Sequence, residues 1–149
     1  MIQGPFYETM LDSLPYGVYI VVKQGYYLFT NRAYVESLGM SKQELQGFNV
    51  HTFIQKGQIE VCISDMVMQE KRQVVLFQDV YNIGRMQDSF RQLVVSTPVL
   101  NEAGEVENII AVCNRLDLLN EFYKQAGKKR IIFAIPSGSG SGLQEQQII

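Results

Sequence analysis

The chain has one histidine, His51, and two cysteines, Cys62 and Cys113, and these bound the chemistry it can perform. Nucleophilic catalysis of the Ser/His/Asp or Cys/His kind needs a basic imidazole within reach of an activated nucleophile. One imidazole with no matching motif offers no such constellation, so no catalytic residue and no enzyme activity are expected. The two cysteines lie far apart, with no CxxC pair and no Cys/His cluster, so no metal site is expected either. Both thiols are read as buried and inert, in a reduced, cytoplasmic setting. Haem would need an axial ligand inside a large apolar pocket. His51, beside a loop, reads instead as a surface or capping residue. Residues 136–142, PSGSGSG, superficially resemble a phosphate-binding loop. The lysine and following Ser/Thr of G-x-x-x-x-G-K-[ST] are missing, and no helix of useful length follows.

The elements that must position any site come next. Residues 6–14 read as a short amphipathic helix stopped at Leu14-Pro15. Residues 17–23 and 26–30 are rich in β-branched and aromatic types and flank the turn Gln24-Gly25, giving a hairpin. Asn31 is a good N-cap for a helix over 32–38 closed by Gly39, and Ser41 with Glu44 makes a capping-box pattern before Gly47. Apolar residues at Ile59, Cys62, Ile63, Met66 and Val67 predict a helix within 58–70. Strands follow over 74–81, 89–100 and 106–114, with turns at 82–84 and 101–104. Asp117 is placed to cap a last helix running to about Gln125. This order is α+β, with helices gathered on one face of an antiparallel sheet.

Composition agrees with a single globular domain: 149 residues, 46% hydrophobic and 19% charged. The net charge of -2 gives no electrostatic basis for direct nucleic-acid binding. No apolar run approaches the ~20 residues of a membrane span, and no signal peptide is visible. The expected division is a domain over residues 1–126 and a tail or linker over 127–149. The tail's Ser/Gly-rich stretch reads as flexible, as an artificial addition, or as the truncated start of another segment.

The residues Asn31-Arg-Ala-Tyr-Val-Glu-Ser-Leu-Gly39, Met40-Ser41 and Glu44-Leu45-Gln46-Gly47 resemble the N-x-A-x-x-x-x-x-G-x-S-x-x-E-L-x-G signature of PAS domains. The preceding Leu14-Pro15-Tyr16-Gly17-Val18-Tyr19-Ile20-Val21 is similar to the family's opening strand. The resemblance covers residues 6–125 and implies the PAS fold: a five-stranded antiparallel sheet, short helices on one face, and flanking N- and C-terminal helices. Gln55-Lys-Gly57, Gln69-Glu-Lys-Arg72, Val74-Val-Leu-Phe-Gln78 and Arg91-Gln-Leu-Val-Val-Ser-Thr-Pro98 are similar to one subgroup, the sensory PAS domains of sigma-54-dependent transcriptional activators. There an AAA+ ATPase and a helix-turn-helix follow in cis. Two departures stand out: Lys23 where many PAS domains have Asp, and Arg115-Leu116-Asp117 in place of the usual D-I-T junction.

The resemblance implies a sensory module with a ligand pocket between the inner sheet face and the helices. The candidate wall residues are Tyr34, Phe53, Ile63, Met66, Phe77, Leu93, Val95, Ile110 and Val112, with Met68 weaker; filling the core is the alternative for each. Arg91, whose guanidinium can clamp a carboxylate, is the main polar candidate, with Asn114 and Ser96 behind it. The sequence leaves open which face of each strand points inward. No cofactor is expected, and an unidentified small molecule is the expected ligand. A flavin photosensor would need a reactive cysteine in an Asn-Cys-Arg-Phe-Leu type motif, which neither cysteine has. Homodimerisation through the flanking helices is expected. A dimerisation scaffold without ligand is the rival reading.

Overall fold

The computed structural model describes residues 5–127, 131–134 and 143–146. Residues through Arg115 form one compact unit, and those from Leu116 onward form another. The first unit runs α1 (Pro5–Asp12), β1 (Gly17–Val22), β2 (Tyr27–Thr30), α2 (Arg32–Leu38), α3 (Lys42–Leu45), α4 (His51–Gln55), α5 (Ile63–Glu70), β3 (Val74–Ile83), β4 (Asp88–Leu100) and β5 (Val106–Arg115). Its strands make one antiparallel sheet in the order β2-β1-β5-β4-β3. The α+β expectation holds, with α2 packed on β1, α3 beside β2, and α5 across β3, β4 and β5.

Local chemistry fixes the first helices. The Asn31 side chain accepts from the Tyr34 N–H to cap α2, and Ser41 and Glu44 form a complete capping box on α3. Two elements depart from expectation. His51–Gln55 forms a helix of its own, and the helix predicted from residue 58 begins only at Ile63. The backbone of 58–62 has other partners. The Gln58 N–H donates to the Phe53 carbonyl, the Gln58 carbonyl accepts from the Tyr81 N–H, and the Val61 carbonyl accepts from Gln78 Nε2. This segment covers the free edge of β3, a stronger claim on its polar groups than another helical turn.

Strand alternation sorts the side chains. Tyr19, Val21, Val74, Val80, Val94, Ile109, Ala111 and Cys113 join α2–α5 in the core. A register shift between Val80 and Ile83 keeps both of these residues on the buried side. The opposite face carries apolar rows of its own, in which Val95 lies between Val75 and Val112, and Val112 pairs with Val18. At the β3–β4 turn Gly84 takes φ 69°, and a Cβ there would lie 2.0 Å from the Leu38 carbonyl oxygen. Only glycine lets the hairpin approach the end of α2 so closely.

In the second unit α6 (Leu116–Gln125) is a helix with no buried residue. Asp117 lies inside its first turn rather than at the cap position expected. β6 (Ile131–Ala134) and β7 (Leu143–Gln146) pair antiparallel within the segment read from sequence as tail. Its Ser/Gly stretch, 137–142, lies outside the described residues. No helix among the described residues is long and apolar enough to cross a membrane.

Candidate functional site

Three tyrosines meet between sheet and helices. Alternation along β1 turns Tyr19 inward, β2 brings Tyr27 alongside it, and the capped first turn of α2 presents Tyr34. Their ring centroids are 5.5 Å (Tyr19–Tyr27), 4.9 Å (Tyr19–Tyr34) and 5.8 Å (Tyr27–Tyr34) apart, in edge or tilted contact. The Tyr27 and Tyr34 hydroxyls share a hydrogen bond. Burial raises all three phenols well above their ordinary pKa, because a phenolate cannot be solvated there. They are neutral hydrogen-bonding groups, not bases.

These rings form one side of an internal cavity completed by Phe53 of α4, Ile63 and Ser64 of α5, Cys62, and the sheet residues Gln78, Val80, Ile83 and Gln92. It offers about 30 Å³ to the centres of water molecules. A surface cleft of about 250 Å³ lies next to it, sharing Phe53 and Ile83 as a common wall. Polar atoms punctuate the wall. Gln92 Nε2 donates to Gln78 Oε1 at 3.0 Å, and Gln78 Nε2 donates to the Val61 carbonyl at 3.2 Å. Ser64 Oγ is buried with no hydrogen-bond partner. It lies near enough to Tyr19 to ease ionisation of that phenol slightly, but not in bonding geometry. A buried hydroxyl left unpaired costs about 1–3 kcal/mol, and such a group marks where a ligand or water would be welcome.

Of the residues expected to line a pocket, Tyr34, Phe53 and Ile63 do so. Met66 and Met68 are partly buried against the core without reaching the cavity. Phe77, Arg91, Leu93, Val95, Ile110, Val112 and Asn114 stand on the opposite face of the sheet. The register pairs Leu93 with Phe77 and Asn114, Val95 with Val112, and Asp79 with Arg91. Phe77 is 61% exposed. Arg91 meets Asp79 in a two-point contact at 2.8 and 3.2 Å and lies over the Phe77 ring. Its guanidinium holds the Asp79 carboxyl below the usual range. The assignment was out of phase by one residue on three strands, and one residue flips every side chain. Ser96 does face inward, fully buried and without a hydrogen-bond partner, but outside the cavity wall. Tyr19, Tyr27, Ser64, Gln78 and Gln92 were not anticipated. The signal for Gln92 was its common parity with Val94 and Ser96.

The Cys/His cluster missing from the sequence pattern exists in space. His51 opens α4, Cys62 precedes α5, and Asp65 lies in its first turn, with donor atoms within 4.8 Å of one another. His51 Nε2 is 2.7 Å from Asp65 Oδ1. Cys62 is half-buried rather than fully buried. Cys113, on the inner face of β5, fits the inert reading: burial pushes its thiol up to about 12.

A family model described as the PAS fold matches residues 6–116. No curated protein sequence matches the chain significantly. Among solved structures, the Rhodobacter sphaeroides LOV protein aligns with TM-score 0.62 at 12% identity over 83% of this chain and 77% of its own. The PAS domain of Bordetella pertussis BvgS gives 0.56 at 16% identity over 83% and 92%. A domain of a sensory box histidine kinase/response regulator from Geobacter sulfurreducens gives 0.55 at 16% over 73% and 90%. At these identities the likeness is one of fold.

Proposed function

The chain belongs to the PAS family, and from that premise we propose that it is a sensory module whose tyrosine-lined cavity takes a small, neutral, hydrogen-bonding ligand. The observation that carries this reading is the buried Ser64 hydroxyl, unpaired on a wall shared with three neutral phenols. The cavity has room for about two or three waters, since a water needs ~10–15 Å³ on this measure. Metabolite pockets run to ~300 Å³ or more. Ligand binding therefore selects an expanded arrangement in which α4 and α5 move off the sheet, and the signal is that population shift. A haem or flavin would need a still larger expansion, and the cysteine motif of flavin photosensors is absent. The same small volume favours one rival, a filled-core scaffold that only dimerises.

The output is proposed to lie in cis and to act in transcription, on the resemblance to sigma-54-dependent activators. On that proposal the chain works in the cytoplasm and binds no nucleic acid itself. A second copy is the proposed partner of the flanking helices. In support, α1 buries no residue and exposes Phe6, Tyr7 and Met10. Thermal shifts against a panel of small neutral amides and alcohols test the ligand reading. A ligand at a hundred times its Kd adds about 2.7 kcal/mol of stability. The expected result is a stabilising compound whose effect falls in Ser64→Ala and Tyr34→Phe. A panel without effect, together with a light-scattering mass of two chains, would leave the scaffold.

A further inference from the structure

We propose that His51, Cys62 and Asp65 form a three-donor site for a divalent cation of borderline softness, Zn²⁺ being the type, with a fourth position open to water. The site is distinct from the cavity-ligand reading and does not depend on it.

The argument begins at Asn49. Its Nδ2 donates to the Gln24 carbonyl at 3.0 Å, and its Oδ1 accepts the His51 backbone N–H at 2.9 Å, so the amide orientation is fixed from both ends. Oδ1 also lies 2.7 Å from His51 Nδ1. An oxygen there can only accept, so Nδ1 carries the proton and Nε2 presents its lone pair away from Asn49. That is how a second-shell oxygen orients a metal-binding imidazole. Gly25 allows the arrangement: a Cβ on it would come within 2.9 Å of Asn49 Oδ1 and 3.1 Å of the His51 ring. Nε2 then faces Asp65 Oδ1 at 2.7 Å. Two acceptors at that distance need a proton between them, here on Nε2; a cation ligated by both would take that proton's place as nitrogen and oxygen part to about 3.3 Å.

Cys62 favours the cation. Its sulfur lies within 4.8 Å of a His51 ring nitrogen and an Asp65 carboxylate oxygen. A coordinating cation displaces the thiol proton to solvent as the metal–sulfur bond forms. A Cys/His/Asp nucleophile is not the alternative. In such a triad the carboxylate holds Nδ1 while Nε2 serves the thiol. Here Asn49 holds Nδ1, and Asp65 occupies the nitrogen that would act as base. The donor set of one N, one S and one O suits Zn²⁺ or Co²⁺, not Ca²⁺ or Mg²⁺. Tetrahedral Zn²⁺ with bonds of about 2.0 and 2.3 Å needs N···S near ~3.5 Å. The donors, within 4.8 Å of one another, close to that by a rotation of the half-buried Cys62 side chain. Cys62 also lines the internal cavity, so a bound cation would tie α4 and α5 together at the cavity wall.

Cobalt titration of the full chain under reducing conditions tests this. One Co²⁺ per chain should give thiolate-to-cobalt charge-transfer absorption in the near ultraviolet, displaced by Zn²⁺. Cys62→Ser should abolish the band. His51→Ala and Asp65→Asn should each weaken binding at least tenfold, with circular dichroism confirming that each variant is folded. Cys113→Ser should leave binding unchanged. Absence of a band in the wild type, or a band lost in Cys113→Ser but kept in Cys62→Ser, overturns the site. Neither result bears on ligand binding in the cavity, which the thermal-shift panel reads separately.

Discussion

Replacing Asn31 with alanine should unfold more of the stability margin than any other single polar substitution in this domain. The residue is fully buried. Its Oδ1 accepts the Val18 N–H at 2.8 Å and the Tyr34 N–H at 3.0 Å. Its Nδ2 donates to the Leu11 carbonyl at 2.8 Å and the Tyr16 carbonyl at 2.9 Å. One amide thus joins the end of α1, the approach to β1 and the start of α2, using each of its polar atoms twice. Alanine leaves two N–H groups in buried surroundings and two carbonyls in partly buried ones. Counting roughly 1–2 kcal/mol for each N–H and ~0.5 for each carbonyl, the loss is about 3–5 kcal/mol. Such a loss is a large part of the ~5–15 kcal/mol available to a domain. Urea unfolding should show a lower midpoint at unchanged slope, and Tm should fall by roughly 10 °C or more. Asn31→Asp keeps both accepting contacts but turns an anionic oxygen toward two carbonyls. It should be no better than alanine at neutral pH and should recover in acid, where a protonated carboxyl can donate. A loss below about 1 kcal/mol for alanine, or an aspartate variant as stable as the wild type at neutral pH, would refute the reasoning.

The other expectations are briefer. Gly84→Ala forces a Cβ to within 2.0 Å of the Leu38 carbonyl oxygen at φ 69°; a loss of roughly 2–4 kcal/mol should appear in urea melts, and a neutral result would deny the close approach. Phe53→Ala should cost about 3–5 kcal/mol, whereas Phe77→Ala and Arg91→Ala should leave the urea midpoint where it is. Equal effects would mean that the two sheet faces have been exchanged. From neutral pH upward, stability should hold to about pH 9 and fall above it. The raised folded-state pKa values of Cys113, to about 12, and of the buried tyrosines mean that the unfolded chain loses those protons first. The fall should be on the order of 1 kcal/mol per pH unit for each such group. A pH-melting series with no alkaline decline would contradict their burial.

The elements read from local chemistry alone were legible. Asn31, Gly39, Ser41 and Glu44 act through neighbours within a turn, and each does in the structure what its type suggests. The facing of the sheet was not legible, because both faces are apolar. On β5 the bulkier Ile110 and Val112 point away from the core, while the smaller Ala111 and Cys113 point into it. Small residues under short helices leave room for those helices, so size misleads where the covering layer is close. Polar residues gave no better guide on β4. Arg91 lies outside and Gln92 inside, and only cross-strand partners such as Asp79 and Gln78 distinguish them. The His51–Cys62–Asp65 grouping was hidden for a different reason. It depends on where an unforeseen helix starts, set by Asn49, and on where another is delayed, which follows from hydrogen bonds between residues 58–61 and β3.

Those same bonds separate a rigid from a yielding side of the cavity. The sheet side rests on long paired strands, and α2 and α3 carry side-chain caps. The N-cap residues of α4 and α5, Val50 and Cys62, make no capping side-chain bond, and only Asn49 Oδ1, accepting the His51 N–H, supports the start of α4 from a side chain. α5 also ends at Lys71 with φ 54°, a left-handed conformation that costs a non-glycine residue on the order of 1 kcal/mol. Helices of five and eight residues hold their shape through tertiary contacts rather than by themselves. Anything that wedges into the cavity or ligates His51, Cys62 and Asp65 therefore acts on the least self-sufficient helices of the domain. On the proposed reading, a modest differential affinity for an expanded arrangement would act through these two helices. The segment most difficult to read from the sequence is thus the one where a signal has the most leverage.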